Sequence, residues 1–177
     1  MALNYPRLDN ASGIWTMKEV TDAVKGGYWP NAGARGLFGG GSEPGKSNII
    51  DYITIATTGD STDFGDLTED RDQVGGCSSF TRGMWMGGNK PASPYHWNTI
   101  DYVTIVTTGN AADFGDLTAE TGQYCTASNS VRAIGAGGAT PSVVDTIEYL
   151  QMASLGNATD FGDLTDSRIN MGSTSSP

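Results

Sequence analysis

The hexapeptide Asp-Phe-Gly-Asp-Leu-Thr occurs three times in this chain, at residues 63–68, 113–118 and 160–165. The copies are 50 and 47 residues apart. Each copy follows a strand-like run: Ile-Asp-Tyr-Ile-Thr-Ile at 50–55, Ile-Asp-Tyr-Val-Thr-Ile at 100–105 and Ile-Glu-Tyr-Leu-Gln-Met at 147–152. A fixed period near fifty residues is typical of a repeat protein. The sequence therefore predicts three copies of one structural unit.

Each unit opens with a glycine-ended run: Arg-Gly-Leu-Phe-Gly-Gly at 35–40, Arg-Gly-Met-Trp-Met-Gly-Gly at 82–88 and Arg-Ala-Ile-Gly-Ala-Gly-Gly at 132–138. Turn residues separate each tyrosine strand from the hexapeptide, which is predicted to return as a hairpin partner. A further strand is expected near Cys77 and near Cys125. This pattern predicts about four short strands in each of three repeats, at residues 35–81, 82–131 and 132–177.

The strand runs carry apolar residues on both faces, which indicates stacked sheets rather than one sheet facing water. The predicted fold is all-β, with three repeats that resemble propeller blades in strand content. Three blades are too few to close a propeller, and residues 168–173 look like the first strand of an unfinished unit. Open sheet edges invite pairing with other copies. We therefore expect a homo-oligomer, with a trimer among the candidate states.

Residues 1–34 differ from the repeats and are predicted to form a leader. Thr16 and Glu19 fit a capping box, and Gly26-Gly27 supplies a stop, so one short helix is expected at residues 17–25. Aromatic residues flank this helix on both sides. Such a leader either packs on the repeats or attaches the chain to another subunit, and the sequence leaves both alternatives open.

The composition excludes several partners. The net charge is −10, so nucleic acid and an anionic membrane surface would both repel the chain. No apolar run approaches the length of about 18 residues that a membrane-spanning helix needs. Cys77 and Cys125 are too few for a disulfide framework. We expect both cysteines to be reduced, buried and on the same strand face of neighbouring repeats.

The residues that could carry catalysis are sparse. His96 is the only histidine, and its surroundings do not form a triad or a multi-histidine metal site. Residues 40–47 match the phosphate-binding pattern G-x-x-x-x-G-K-S, but that mechanism requires a helix to follow and the next residues predict a strand. We therefore expect no enzymatic activity and no cofactor.

One loop stands out as a candidate ligand-binding site. The connection that contains Tyr95, His96 and Trp97 is three residues longer than its counterparts in the other repeats. A longer loop with aromatic residues on a single repeat is where a scaffold adds recognition, for example by stacking a sugar ring. The alternative is that these side chains cover a sheet edge or a subunit interface.

Carboxylates recur around the repeated hairpin and raise a weak calcium alternative. Calcium takes six to eight oxygen ligands, which these acids could supply in part. Aspartates in turns also cap their own backbone, and the spacing is not that of a known calcium loop. The six residues are Asp63, Asp66, Asp113, Asp116, Asp160 and Asp163.

The whole repeat resembles the kelch family. In that family an arginine strand leads to an apolar strand with a terminal glycine pair, followed by a tyrosine strand and an aromatic residue after a turn. The matching glycines are Gly39-Gly40, Gly87-Gly88 and Gly137-Gly138, and the matching tyrosines are Tyr52, Tyr102 and Tyr149. Phe64, Phe114 and Phe161 stand where kelch repeats usually have tryptophan.

The repeat also resembles repeats in structural proteins of tailed phages of aquatic bacteria. The sequence pattern that carries this resemblance is Ile-Asp-Tyr-x-Thr-Ile-x-Thr-Thr-Gly-Asn-Ala-x-Asp-Phe-Gly-Asp-Leu-Thr. This resemblance covers about residues 13–177 and implies a kelch-like repeat virion protein of the tail-fibre or decoration type. It implies location in the virion, contacts with other virion proteins and a role in assembly or host attachment. The alternative function is a receptor- or glycan-binding module that meets a host surface glycan.

Overall fold

The computed structural model describes residues 16–18, 35–42, 44–92 and 95–175. The chain divides into two compact units. The larger consists of Arg35–Ile53 and Gly59–Pro177, and the smaller of Met1–Ala34 and Thr54–Thr58. In the described part of the chain, eleven strands form three antiparallel sheets, which confirms the all-β prediction.

The strands follow one another along the chain and pair with their neighbours in sequence. Sheet 1 contains β1 (Arg35–Gly39), β2 (Ser47–Thr54) and β3 (Thr62–Arg71). Sheet 2 contains β4 (Gly75–Ser78), β5 (Arg82–Met86), β6 (Thr99–Thr104) and β7 (Ala112–Asp116). Sheet 3 contains β8 (Cys125–Ser128), β9 (Arg132–Ala136), β10 (Thr146–Gln151) and β11 (Thr159–Asp163).

The sheets are offset by one strand from the sequence repeats. β4 lies at the end of the predicted first repeat, at residues 35–81, but it pairs with β5 and so belongs to sheet 2. β8 pairs with β9 of sheet 3 in the same way. Among the described residues, sheet 1 has three strands whereas sheets 2 and 3 have four.

The repeated hexapeptide forms a bulged hairpin strand in every sheet. The register shifts where β2, β6 and β10 pass the hexapeptide, between Ile50 and Asp51 in sheet 1 and at the equivalent positions in sheets 2 and 3. The glycine at the bulge has φ of 144°, 146° or 138°, a conformation that favours glycine over other residues. The aspartate two residues earlier accepts a hydrogen bond from this glycine's N–H in all three copies.

An arginine, a tyrosine and a phenylalanine stack in each repeat. The arginine lies 4.5–5.0 Å from the tyrosine ring centroid, and the tyrosine meets the phenylalanine edge-on at 5.6–5.9 Å. The three stacks are Arg35-Tyr52-Phe64, Arg82-Tyr102-Phe114 and Arg132-Tyr149-Phe161. Phe64 and Phe114 belong to the buried core with Ile50 and Ile100.

The glycine pair of the first repeat is displaced by one residue from its predicted position. Gly87-Gly88 and Gly137-Gly138 have positive φ, and their counterparts with positive φ are Gly40-Gly41 rather than Gly39-Gly40. Gly39 is the last residue of β1, where a Cβ would lie 2.7 Å from the Trp85 ring. Because residues 39–41 are all glycine, the sequence does not show which two of them form the turn.

The segment after sheet 3 runs beside β8 but is not itself a β-strand. The Ser173 hydroxyl donates to the Thr126 carbonyl, and the Ser175 hydroxyl donates to the Ser128 carbonyl at 2.6 Å. Apart from Met17 and Lys18, the predicted helix at residues 17–25 lies outside the described residues. Within the described ranges, no helix is long and apolar enough to cross a membrane.

Candidate functional site: the contact repeated between sheets

The same backbone contact joins sheet 1 to sheet 2 and sheet 2 to sheet 3. In the 1–2 interface, the Gly109 N–H donates to the Phe64 carbonyl at 2.8 Å. In the 2–3 interface, the Gly156 N–H donates to the Phe114 carbonyl at 3.0 Å. The hexapeptide strand of one sheet therefore receives the hairpin turn of the next.

Two more hydrogen bonds complete this contact around the second aspartate of the hexapeptide. The Asp66 carbonyl accepts from the Ala111 N–H at 2.7 Å, and the Asp66 N–H donates to Asn110 Oδ1 at 3.2 Å. Asp116 makes the equivalent bonds with Ala158 at 2.8 Å and Asn157 at 3.1 Å. The repeated Asp-Phe-Gly-Asp is thus the element that holds successive sheets together.

A buried ion pair lies beside this contact in the 1–2 interface. Arg71 Nη2 is 2.9 Å from Asp101 Oδ2, and both side chains are 0% exposed. The same carboxylate accepts from the Thr68 N–H at 2.9 Å and from its hydroxyl at 2.7 Å. Burial lowers the pKa of Arg71, and the adjacent Asp101 carboxylate opposes that shift.

In the 2–3 interface, the position equivalent to the Arg71–Asp101 ion pair contains no cation among the described residues. Glu148 replaces the aspartate, Thr121 replaces the arginine, and the Tyr124 hydroxyl donates to Glu148 Oε2 at 3.2 Å. The Thr118 N–H and hydroxyl both donate to Glu148 Oε1. Burial raises the pKa of Glu148, although the hydrogen bonds from Tyr124 and Thr118 oppose this.

Hydroxyl groups form a third set of contacts between the first strands of neighbouring sheets. The Thr126 hydroxyl of β8 donates to the Gly76 carbonyl of β4 at 2.7 Å, and the Ser128 hydroxyl donates to the Ser78 carbonyl at 2.8 Å. Ser173 and Ser175 repeat these two bonds on β8. The terminal segment therefore occupies, against β8, the place that β8 occupies against β4.

The hexapeptide strand of sheet 3 has no hairpin turn packed against it among the described residues. Phe161 is 54% exposed, whereas Phe64 and Phe114 are only 2% and 3% exposed. Arg168 and Thr165 are exposed where Arg71 and Thr68 meet a carboxylate. We call Phe161, Asp163, Thr165 and Arg168 the open end of sheet 3.

Sheet 1 presents the complementary half. Asp51 holds the position of Asp101 and Glu148, and within the described residues its side chain has no hydrogen bond or ion pair. Gly59 and Asp60 hold the positions of Gly109 and Asn110 in the hairpin turn. We call Asp51, Gly59, Asp60 and Ser61 the open end of sheet 1.

The aromatic loop predicted as a ligand site folds back on sheet 2. His96 Nδ1 lies 2.9 Å from Asn89 Oδ1, and burial lowers the pKa of His96. The Lys90 ammonium covers the Trp97 ring at 4.5 Å, while Tyr95 remains 69% exposed. The structure brings these side chains to one loop, and their role in ligand binding stays a prediction.

The six aspartates of the calcium alternative remain distributed along the three sheets. The first aspartate of each hexapeptide caps its own glycine, and the described residues contain no group of three or more His, Cys, Asp or Glu side chains that could hold a metal ion. Lys46, which made the phosphate-loop match, instead pairs with Asp72 at 2.6 Å.

Cys77 and Cys125 are free thiols, each partly buried. Burial raises the pKa of Cys77 to about 12, so this thiol is protonated at neutral pH. Cys125 Sγ donates to the Met171 carbonyl at 3.2 Å and helps to hold the terminal segment beside β8.

Sequence comparisons give no independent assignment. No protein-family model matches the chain, and no curated protein matches it in sequence. The function must therefore be inferred from the repeated interface and its two open ends.

Proposed function

We propose that this protein is a non-enzymatic structural component of a virion, a fibre, tail or decoration subunit that assembles with copies of itself. The observation that carries the proposal is that the inter-sheet contact, made twice inside the chain, is unfilled at both ends among the described residues. A contact that joins unlike surfaces head to tail generates rings or filaments when copies associate. The virion assignment rests on the resemblance of the repeats to phage structural proteins.

In this proposal the kelch-like sheets provide a rigid module, and residues 1–34 attach it to other virion proteins or to its own copies. The described part of the chain offers extensive hydrogen bonding between sheets. In the same part of the chain, His96 contacts Asn89, Lys46 pairs with Asp72, and the first aspartate of each hexapeptide accepts from its own glycine. Assembly is therefore the function that these contacts support best.

Electron microscopy of the purified full chain tests the proposal. We expect uniform particles larger than one chain, or fibres, in negative stain. Antibodies raised against the chain should also label tailed particles purified from an infected culture. Isolated particles of monomer size, or labelling confined to the host cell envelope, would contradict the proposal.

The exposed aromatic residue of the long loop supports a second candidate function, in which the module binds a receptor or glycan. Tyr95 is 69% exposed, and on the same loop the Lys90 ammonium covers the Trp97 ring. Aromatic and polar groups on one loop suit a sugar. Glycan-array binding that disappears in Trp97→Ala would favour this function. Phe80→Ala is the matched control, because Phe80 is 85% exposed on a different loop. Equal binding by both variants, or none by the wild type, would contradict it.

A further inference from the structure

We propose that the open end of sheet 3 binds the open end of sheet 1 of a second copy, with Arg168 and Asp51 as its central ion pair. This inference rests on the proposed function, since it specifies the contact by which the subunit assembles. Among the described residues, each open end lacks the half of the contact that the other open end carries.

The charged groups repeat those of the 1–2 interface. Arg168 lies 97 residues after Arg71, and Thr165 lies 97 residues after Thr68. Asp51 lies 50 residues before Asp101. The shift of 97 residues is the sum of the two repeat spacings, and the shift of 50 residues equals the first spacing. An arginine, a threonine and an aspartate therefore occupy the same repeat positions in both cases.

The arginine at the open end lies beside a threonine, as Arg71 does in the occupied interface. Arg168 Nη2 lies 3.5 Å from Thr165 Oγ1, and Arg71 Nη2 lies 3.3 Å from Thr68 Oγ1 in the occupied interface. Neither Arg168 nor Asp51 takes part in an ion pair among the described residues. In a protein of net charge −10, an exposed arginine beside a preformed threonine donor favours an acidic partner.

The backbone of each open end also matches the other. The Phe161 carbonyl and both backbone groups of Asp163 are the equivalents of groups that bind the next hairpin in the inner interfaces. Gly59, Asp60 and Ser61 supply the corresponding turn. A Cβ on Gly65 or Gly115 would lie 2.5 Å from the neighbouring hairpin backbone, but nothing lies within 4 Å of that position on Gly162. No described residue therefore occupies the space for the incoming turn.

The strand edges give an independent reason for the same partner. Sheet 1 has three described strands, and a groove of about 270 Å³ separates β1 from β4, lined in part by residues 35–37 and 76–78. In sheets 2 and 3 a strand fills this place, as β8 does beside β9. Gly172–Ser175 of a second copy, which already holds a strand position beside β8, would pair with residues 36–39 and give sheet 1 four strands.

One residue differs from the inner interfaces and sets a specific expectation. Asp60 stands where Asn110 and Asn157 accept a hydrogen bond, so docking brings the Asp60 and Asp163 carboxylates close together. Like charges at such a contact oppose association and are screened by salt. Asp60→Asn should therefore strengthen self-association, most at low ionic strength.

The number of copies follows from whether the array closes. A closed ring of two chains would contain six sheets, within the range of about four to eight blades known for propellers. Without closure, the same contact gives a filament. Both outcomes use one interface and support the proposal.

Sedimentation analysis of the full chain and its charge-reversal variants tests the contact. Arg168→Asp and Asp51→Arg should each weaken self-association by at least about 30-fold, the effect of breaking one partner of a desolvated charge pair. A mixture of the two variants should regain wild-type association, because the reversed charges then face each other. Lys90→Asp is the control, since it reverses a cation outside both open ends.

The outcomes separate the contact from the proposed function. Rescue by mixing also shows that both variants are folded, because an unfolded chain could not restore assembly. A wild-type monomer would overturn both the contact and the assembly function. A wild-type oligomer that neither variant weakens, or variants that mixing does not rescue, would overturn the head-to-tail contact alone and leave the assembly function standing.

Discussion

The 1–2 and 2–3 interfaces have the same backbone frame but different chemistry at its centre. The first buries a complete ion pair between Arg71 and Asp101. The second buries Glu148 against the Tyr124 and Thr118 hydroxyls, with no cation nearby in the described part of the chain. The backbone contact therefore fixes where sheets meet, while this one position sets how the contact responds to charge and pH. At the open ends, Arg168 and Asp51 hold the positions of Arg71 and Asp101, the two residues of the buried ion pair.

Removing the cation of the 1–2 interface should cause the largest loss of stability among these variants. Arg71→Leu leaves the Asp101 carboxylate buried and unpaired, and breaking a buried pair in this way costs about 3–5 kcal/mol of stability. Chemical denaturation at a low chain concentration would measure the loss. Arg168→Leu is the matched control at the equivalent exposed position and should change the free energy of unfolding by less than about 0.5 kcal/mol. Similar losses in both variants would contradict the difference between occupied and open ends.

Alanine at the bulge glycines should separate backbone strain from the sheet contact. Gly115→Ala suffers both the positive φ and a clash with the Gly156 backbone at 2.5 Å. Gly162→Ala suffers the positive φ but meets no described residue within 4 Å. We expect Gly115→Ala to be less stable than Gly162→Ala by about 1–3 kcal/mol, the usual cost of overpacking. Thermal unfolding of the two variants measures this difference. Equal destabilisation would show that φ alone decides it.

Acidification should strengthen the 2–3 interface through Glu148. Its pKa is raised in the folded state by burial, so the folded chain keeps this proton to a higher pH than the unfolded chain. The contribution is fully present below the unfolded-state pKa, near 4.5, and is lost as pH rises through the raised folded-state pKa. Glu148→Gln should remove this pH dependence. The measurement is the change in Tm between about pH 4.5 and 7.5, compared between the variant and the wild type. An unchanged profile would contradict it, and exposed Asp70→Asn is the control.

Loss of the hydroxyl contacts should cause the smallest losses of stability. The loss should be smaller for the terminal segment than for the contact between β8 and β4. Thr126→Val removes a half-buried hydrogen bond to Gly76 and should cost about 1 kcal/mol. Ser175→Ala removes an exposed one to Ser128 and should cost less than about 0.5 kcal/mol. Hydrogen exchange of the β8 amides would also report whether the terminal segment protects that strand. A larger loss in Ser175→Ala would reverse the expected order.

The repeat period predicted much of the fold because the turn and core residues recur in sequence. The hexapeptide, the glycine turns and the tyrosine strands all lie in strands or turns near their expected positions. The sheet boundaries were not predictable in this way. β4 is three residues from β3 on one side and from β5 on the other, so local sequence does not decide which strand it pairs with.

The central interface position escaped prediction for a different reason. Its residues are Arg71, Thr121 and Arg168 on one side and Asp51, Asp101 and Glu148 on the other, so neither set repeats without change. The available signal was the 97-residue spacing of the two arginines, which is the full distance from the first hexapeptide to the third. The aromatic loop at Tyr95, His96 and Trp97 was located by its length, and its function remains a prediction.

A high-resolution structure of the assembled full chain would test the head-to-tail contact most directly. We expect the Asp51 carboxylate of one copy to lie within hydrogen-bonding distance of Arg168 and Thr165 of the next. Phe161 should then be buried to the same extent as Phe64 and Phe114. An assembly in which Arg168 and Phe161 stay exposed to solvent, with copies joined through other surfaces, would contradict the contact.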